Sequence, residues 1–188
     1  MLARLLIVCV LAGGLCAQDR VRVGLFTAMP VKWDLEANWR AFEETVARHA
    51  AERPDVIVTP ECFLDGYAAA AADWTPEKFA AIAQDEKTSP YIAKVRAMAE
   101  NYRTAILFGF TGKRDGKYYN TALLIDKTGK TIGRYDKTHL QAHDLRFEPG
   151  KDLPVFEAAW GKSGVMICAD RRWPETARVL RLRGSRLT

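Results

Sequence analysis

No apolar run in the 188 residues is long enough to cross a bilayer, which takes about 20 residues of helix. The N-terminal stretch from Leu5 to Leu11 stops well short of that. There is no internal repeat, which excludes a solenoid, and no low-complexity linker to set off a second domain. Nucleic-acid motifs and aromatic-interleaved basic stripes are missing too, so the formal net charge of +5 does not point to a nucleic-acid partner. The late arginines, among them Arg178 and Arg181, read as a solvated helix face. Histidine and cysteine are scarce, with three and four residues.

What is present at the start has the layout of an export leader: a short basic opening (Met1 to Arg4), the apolar run, and small residues from Ala12 to Ala17. Residues 1–17 are therefore set apart as a signal peptide, and residues 18–188 form one domain of an exported protein. Losing Arg4 with the leader takes the formal charge from +5 to +4. A membrane association arises only if Cys16 is lipidated, and Leu15 stands where that modification wants a small residue. An ordinary N-terminal strand is the alternative, against which stand the lack of alternation and a better first strand from Val21. Cys62 and Cys168 then remain, and in an oxidising compartment the plain expectation for two cysteines is a disulfide. Against it, Cys62 adjoins Glu61. If the strand before Glu61 continues, these neighbours point to opposite faces, and a Cys168 facing Glu61 does not face Cys62.

Along the domain, Val21 to Thr27 reads as a first strand. Asp34 caps a helix to about residue 48 with Leu35, Trp39, Phe42 and Val46 on one stripe. A short strand covers Val56 to Thr59. Thr75-Pro76 and Ser89-Pro90 each pair a cap with a proline at the first helical position, opening helices over about 76–84 and 90–101. Ala105 to Phe110 is a strand, and Tyr118 to Ile125 and Thr131 to Tyr135 form a hairpin around Asp126 to Gly129. Val155-Phe156 and Ser163 to Ile167 are further strands, and Pro174 opens a last helix. Early alternation of strands and helices with a later hairpin predicts an α/β fold with a mixed sheet flanked by helices.

Three strand ends carry chemistry: Glu61 after Val56 to Pro60, Lys137 after Thr131 to Asp136, and Cys168 after Gly164 to Ile167. The thiolate is the reactive form of cysteine, so a nucleophilic Cys168 needs a base or cation beside it. Glu61 can take the thiol proton and return it to a leaving nitrogen. Lys137 can place an ammonium where an attacked carbonyl or nitrile gains charge. His139 and His143, four apart with Asp144 beside them, suggest a metal site on a helix, but Pro149-Gly150 and the lack of apolar periodicity make that segment a loop.

The segments Pro60-Glu61-Cys62-Phe63-Leu64-Asp65-Gly66-Tyr67, Tyr135-Asp136-Lys137-Thr138-His139-Leu140 and Cys168-Ala169-Asp170-Arg171-Arg172-Trp173-Pro174-Glu175, in this order, closely resemble the three catalytic blocks of the nitrilase or carbon–nitrogen hydrolase superfamily. Phe147-Glu148-Pro149-Gly150 fits the same pattern, and the resemblance runs from Val21 to the last residue. It implies a four-layer αββα sandwich, here partial, with Glu61 as general base, Lys137 as oxyanion stabiliser and Cys168 as nucleophile. The implied activity is hydrolysis of non-peptide carbon–nitrogen bonds in small linear amides, carbamoyl compounds or nitriles, without cofactor or metal, in a protein that forms a homodimer at full length. Asp170 looks more like the amidase and carbamoylase branches than the true nitrilases.

Three features depart from the family pattern. Ala169 stands where an aromatic residue is common. A second acidic residue is expected between the lysine block and the Pro-Gly turn, for which Asp144 and Glu148 are both candidates. Family members continue about a hundred residues further, so the domain reads as incomplete at its C-terminus, exposing strand edges and apolar faces. The isolated chain is then expected to be poorly soluble and weakly active or inactive. Two alternatives remain: a Cys–His hydrolase with His139 as base, and an inactive fragment or interaction module that retains the motifs.

Overall fold

The computed structural model describes the backbone of residues 4–11 and the whole of residues 20–188. Its elements in chain order are β1 (Arg4–Leu11), β2 (Arg20–Thr27), α1 (Leu35–His49), β3 (Val56–Val58), α2 (Pro76–Ile82), β4 (Gln84–Asp85), α3 (Pro90–Tyr102), β5 (Ala105–Arg114), β6 (Lys117–Ile125), β7 (Thr131–Asp136), β8 (Val155–Ala158), β9 (Gly161–Gly164) and α4 (Pro174–Leu182). Among the described residues no helix is long and apolar enough to cross a membrane.

The helix starts follow local chemistry. The side chains of Asp34, Thr75 and Ser89 accept from the backbone amides of Ala37, Lys78 and Ile92 at 2.9, 3.2 and 3.2 Å, satisfying donors that a first turn leaves open. The hairpin turn is built likewise, with Asp126 Oδ1 accepting from Thr128 N at 2.8 Å and Lys130 N at 3.1 Å.

The main sheet runs β1-β2-β3-β5-β6-β7, with β4 joining β5 beyond the end of β3. β2, β3 and β5 are parallel, and β1, β6 and β7 are antiparallel to their neighbours. The period of two divides each strand between two cores. Phe26, Ile57, Phe108 and Leu123 face α1 and α3, where Phe26 meets Phe42 and Phe63 edge-on at centroid distances of 5.1 and 4.9 Å. Val23, Val56 and Leu124 face the other way and pack with Trp160 and the partly buried Leu107 and Phe156 around β8 and β9. The two-stranded β8–β9 sheet thus lies across the main sheet, with the Phe156 ring against Gly133, while Leu180 of α4 covers Gly164 on its far side. Helices, sheet, sheet and helix make the four layers predicted. An apolar cavity of about 340 Å³, lined by Val23, Leu25, Val58, Leu107, Trp160 and Met166 among others, remains between the sheets.

One expectation changes. Val165 to Ile167 leave the ladder, since β9 ends at Gly164, and an apolar run here means burial rather than pairing. Residues 4–11, set apart as leader, form an edge strand on β2 in register Arg4↔Thr27; Cys16 lies outside the described residues. Cys62 and Cys168 are both free, the first buried and the second exposed. What separates them is a turn, because β3 stops at Val58 and the chain bends before Glu61.

That bend depends on Gly109. A Cβ there would overlap the Pro60 carbonyl and come 3.2 Å from Cys62 N. Gly109 N donates to Thr59 Oγ1 at 2.8 Å, and its carbonyl accepts from Leu64 N at 3.2 Å. Gly109→Ala is expected to lower stability by about 1–3 kcal/mol, the usual range for overpacking. Urea unfolding checks this, and an unchanged midpoint would remove Gly109 as the reason the loop can approach.

Candidate active site

Glu61 sits in a loop held rigidly from below. Cys62 and Tyr67 adopt left-handed backbone angles, with φ of 44° and 56°. Asp65, fully buried, accepts from Ala68 N at 3.0 Å and Thr111 N at 2.8 Å, tying the loop to β5. Burial pushes the Asp65 carboxyl up from 3.8 to about 6, in spite of those amide bonds.

Lys137 follows β7 directly. Its amide donates to Asn120 O at 2.9 Å and its carbonyl accepts from Gly150 N at 2.8 Å, so its backbone is clamped between β6 and the Pro149-Gly150 turn. The side chain is wholly buried, and Nζ lies 2.6 Å from both Glu61 Oε1 and Asp144 Oδ2. Burial alone would pull this ammonium toward neutrality; the bonds to Asp144 and Glu61 outweigh it and hold the pKa above its ordinary value. Asp144 is the complement: burial would raise it, but bonds to Lys137 and Tyr67 hold it low. Tyr67 OH donates to Asp144 Oδ1 at 2.5 Å, and Gln141 N donates to Oδ2 at 3.2 Å. Asn120 Nδ2 donates to Glu61 Oε1 at 2.7 Å. Of the two acidic candidates, Asp144 is therefore the one in the site; Glu148 is exposed and reaches Lys117 at 3.4 Å.

Cys168 opens a one-turn 3₁₀ segment with φ of 45°, a conformation costly for a non-glycine residue and found where surroundings over-determine it. Its surroundings are Asp170, fully buried, which accepts from Ile167 N at 2.8 Å, Tyr135 OH at 2.7 Å, His139 N at 3.0 Å and Thr138 Oγ1 at 3.2 Å. His139 Nδ1 lies 2.8 Å from the same carboxylate, with its ring stacked on Trp173 at 5.4 Å. His139 thus braces the turn that carries Cys168. His143 packs edge-on against Tyr67 and Asp144 bonds Lys137, so the three residues considered for a metal face different partners.

Cys168 and Glu61 line one cavity of about 110 Å³ together with Gly109, Ala122, Val165 and Ile167. Burial pushes the Cys168 thiol up, the charge of Glu61 and a hydrogen bond to it add to the rise, and Lys137 and Arg171 oppose it. The Glu61 carboxyl group stands beside the sulfur in that cavity. Gln141 Nε2 approaches Cys168 Sγ at 3.9 Å. Sequence reasoning did not find Asn120, Gln141, Tyr67 or the bracing role of Asp170. A mid-strand asparagine at 120, a residue type depleted in strands, was the available signal.

A thiol, a carboxyl group and a buried ammonium thus meet on a four-layer sandwich. The carbon–nitrogen hydrolase family model matches residues 22–188, and the chain belongs to that family. It is 34% identical over 171 residues to a hydrolase from the pqqF 5′ region of Pseudomonas protegens, covering 89% of this chain and 57% of the relative. It is 33% identical over 137 residues to a probable nitrilase of Schizosaccharomyces pombe, covering 71% and 48%. Among solved structures, an amidase from Nesterenkonia sp. superposes with a TM-score of 0.73 at 23% identity, over 88% of this chain and 62% of that one. The chain spans about half the length of the curated relatives it matches.

Two measurements check the site's energetics. Asp144→Ala leaves a buried ammonium short of a partner and is expected to cost about 3–5 kcal/mol in urea unfolding, against less than about 0.5 kcal/mol for Glu148→Ala; equal effects would contradict the assignment. The raised Asp65 carboxyl contributes its stability below about pH 4 and loses it as pH rises through about 6. The advantage of the wild type over Asp65→Asn is thus expected to shrink by about 3 kcal/mol between those limits, and a difference independent of pH would overturn the burial argument.

Proposed function

We propose that this chain carries the acid–base and nucleophilic groups of an exported hydrolase of small linear amides, carbamoyl compounds or nitriles. The observation that carries the reading is the buried Lys137 held at 2.6 Å to Glu61, with Cys168 beside that carboxylate in one cavity. For an amide, Glu61 takes the S–H proton as the sulfur bonds to the carbonyl carbon, and the electron pair of the C=O moves onto oxygen. Lys137 has three N–H donors and uses two on carboxylates, which leaves one for that oxyanion. The C–N bond breaks as Glu61 hands its proton to nitrogen, and ammonia or an amine departs. Water then adds to the thioester, losing a proton to Glu61, and the acid leaves as the sulfur is reprotonated. The relative named as a probable nitrilase supports the nitrile class.

His139, committed to Asp170, supports this reading over a Cys–His one. Export rests on the leader-like residues 1–17; cleavage there would release β1 and open the edge of β2. The homodimer at full length rests on the family resemblance.

Alkylation of the Cys168 peptide by iodoacetamide, followed by mass spectrometry, tests the roles without needing a substrate. Near neutral pH, Glu61→Gln is expected to slow labelling about tenfold or more, the low end of general-base contributions, while His139→Ala retains dependence on Glu61. The charge of Glu61 also raises the thiol, so removing that charge alone would speed labelling; slowing therefore reports loss of the proton acceptor. Equal rates at neutral pH would sink the Glu61 assignment.

A further inference from the structure

We infer that Asn120 is the positioning residue of Glu61, selecting which carboxylate oxygen serves Cys168. This rests on the reading of Glu61 as base. Glu61 Oε1 accepts from Lys137 Nζ at 2.6 Å and from Asn120 Nδ2 at 2.7 Å. Two donors fill the two lone-pair directions of one carboxylate oxygen. Oε2 is left as the oxygen that takes the Cys168 proton: the S–H bond breaks, an O–H bond forms at Oε2, and the pair left on sulfur attacks carbon.

Asn120 is suited to this by charge and by place. Glu61, Asp144 and Lys137 together carry two negative charges and one positive. A second cation on Glu61 would neutralise the base, whereas an amide supplies a donor without charge. The residue is 1% exposed, stands opposite Thr111 in the β5–β6 ladder, and accepts from Lys137 N through its own carbonyl. One residue thus sets the backbone of the ammonium and the side chain of the carboxylate. Its Oδ1 has no hydrogen-bond partner among the described residues. A buried amide with an open carbonyl is a poor choice for packing alone, and its single polar bond, to Glu61, orients it with nitrogen toward the carboxylate.

The test is the pH profile of Cys168 alkylation by iodoacetamide in wild type, Asn120→Asp, Asn120→Ser and Glu61→Gln, with thermal unfolding to confirm folding. Asn120→Asp keeps the shape but replaces the donor with a charged acceptor. The acid side of its profile is expected to move up by about one pH unit, a roughly tenfold slower rate on that side. Asn120→Ser is expected to move the same way by less. Wild-type profiles in both, or a lower maximum with an unmoved profile, would overturn the inference while leaving Glu61 in place. Loss of dependence on Glu61 itself, seen as a wild-type profile in Glu61→Gln, would instead overturn the reading beneath it.

Discussion

A buried ammonium organises this molecule. Lys137 has no solvent, and its charge persists only because two carboxylates stand 2.6 Å from Nζ. Removing an ion from water costs several kcal/mol even after relaxation, and the Coulomb attraction offsets that only with good geometry and full hydrogen bonding. The surroundings meet that demand. Tyr67 and the Gln141 amide complete Asp144, Asn120 completes Glu61, and the Gly150 and Asn120 backbones hold the lysine main chain. Glu61 is thereby immobilised by its role as counter-ion before any chemistry is asked of it.

Cys168 is arranged on a different principle. It gains no strong cation of its own, and its thiol is raised rather than lowered. What the fold supplies is position: a left-handed residue at the end of an apolar segment, pinned two residues later by a carboxylate that collects bonds from Tyr135, Thr138, His139 and Ile167. A fixed carboxyl neighbour, rather than a cation of its own, is what the fold places beside the sulfur.

Much of this was legible in the sequence because it is local. Caps at Asp34, Thr75 and Ser89, the Asp126 to Gly129 turn and the two-residue period of the strands need only neighbours a few positions away. Glu61, Lys137 and Cys168 were visible as reactive side chains at strand ends, and family resemblance supplied their roles. The choice between Asp144 and Glu148 was not, since it depends on where Tyr67 and Lys137 arrive from elsewhere in the chain. Val165 to Ile167 misled for a related reason: apolar composition reports burial, and only the neighbouring strand decides whether a ladder forms. Asn120 stood out as an asparagine inside a strand, but its partner, 59 residues away, did not.

That distance bears on the order of events as the chain emerges during synthesis. Glu61 and Lys137 are 76 residues apart, and Asp170, which pins the turn carrying the sulfur, lies 31 residues beyond His139. The nascent polypeptide can complete its phenylalanine core from β2, α1, β3, α3 and β5 while the reaction centre does not yet exist. The cavity that Glu61 shares with Cys168 can therefore close only after residue 168 has emerged.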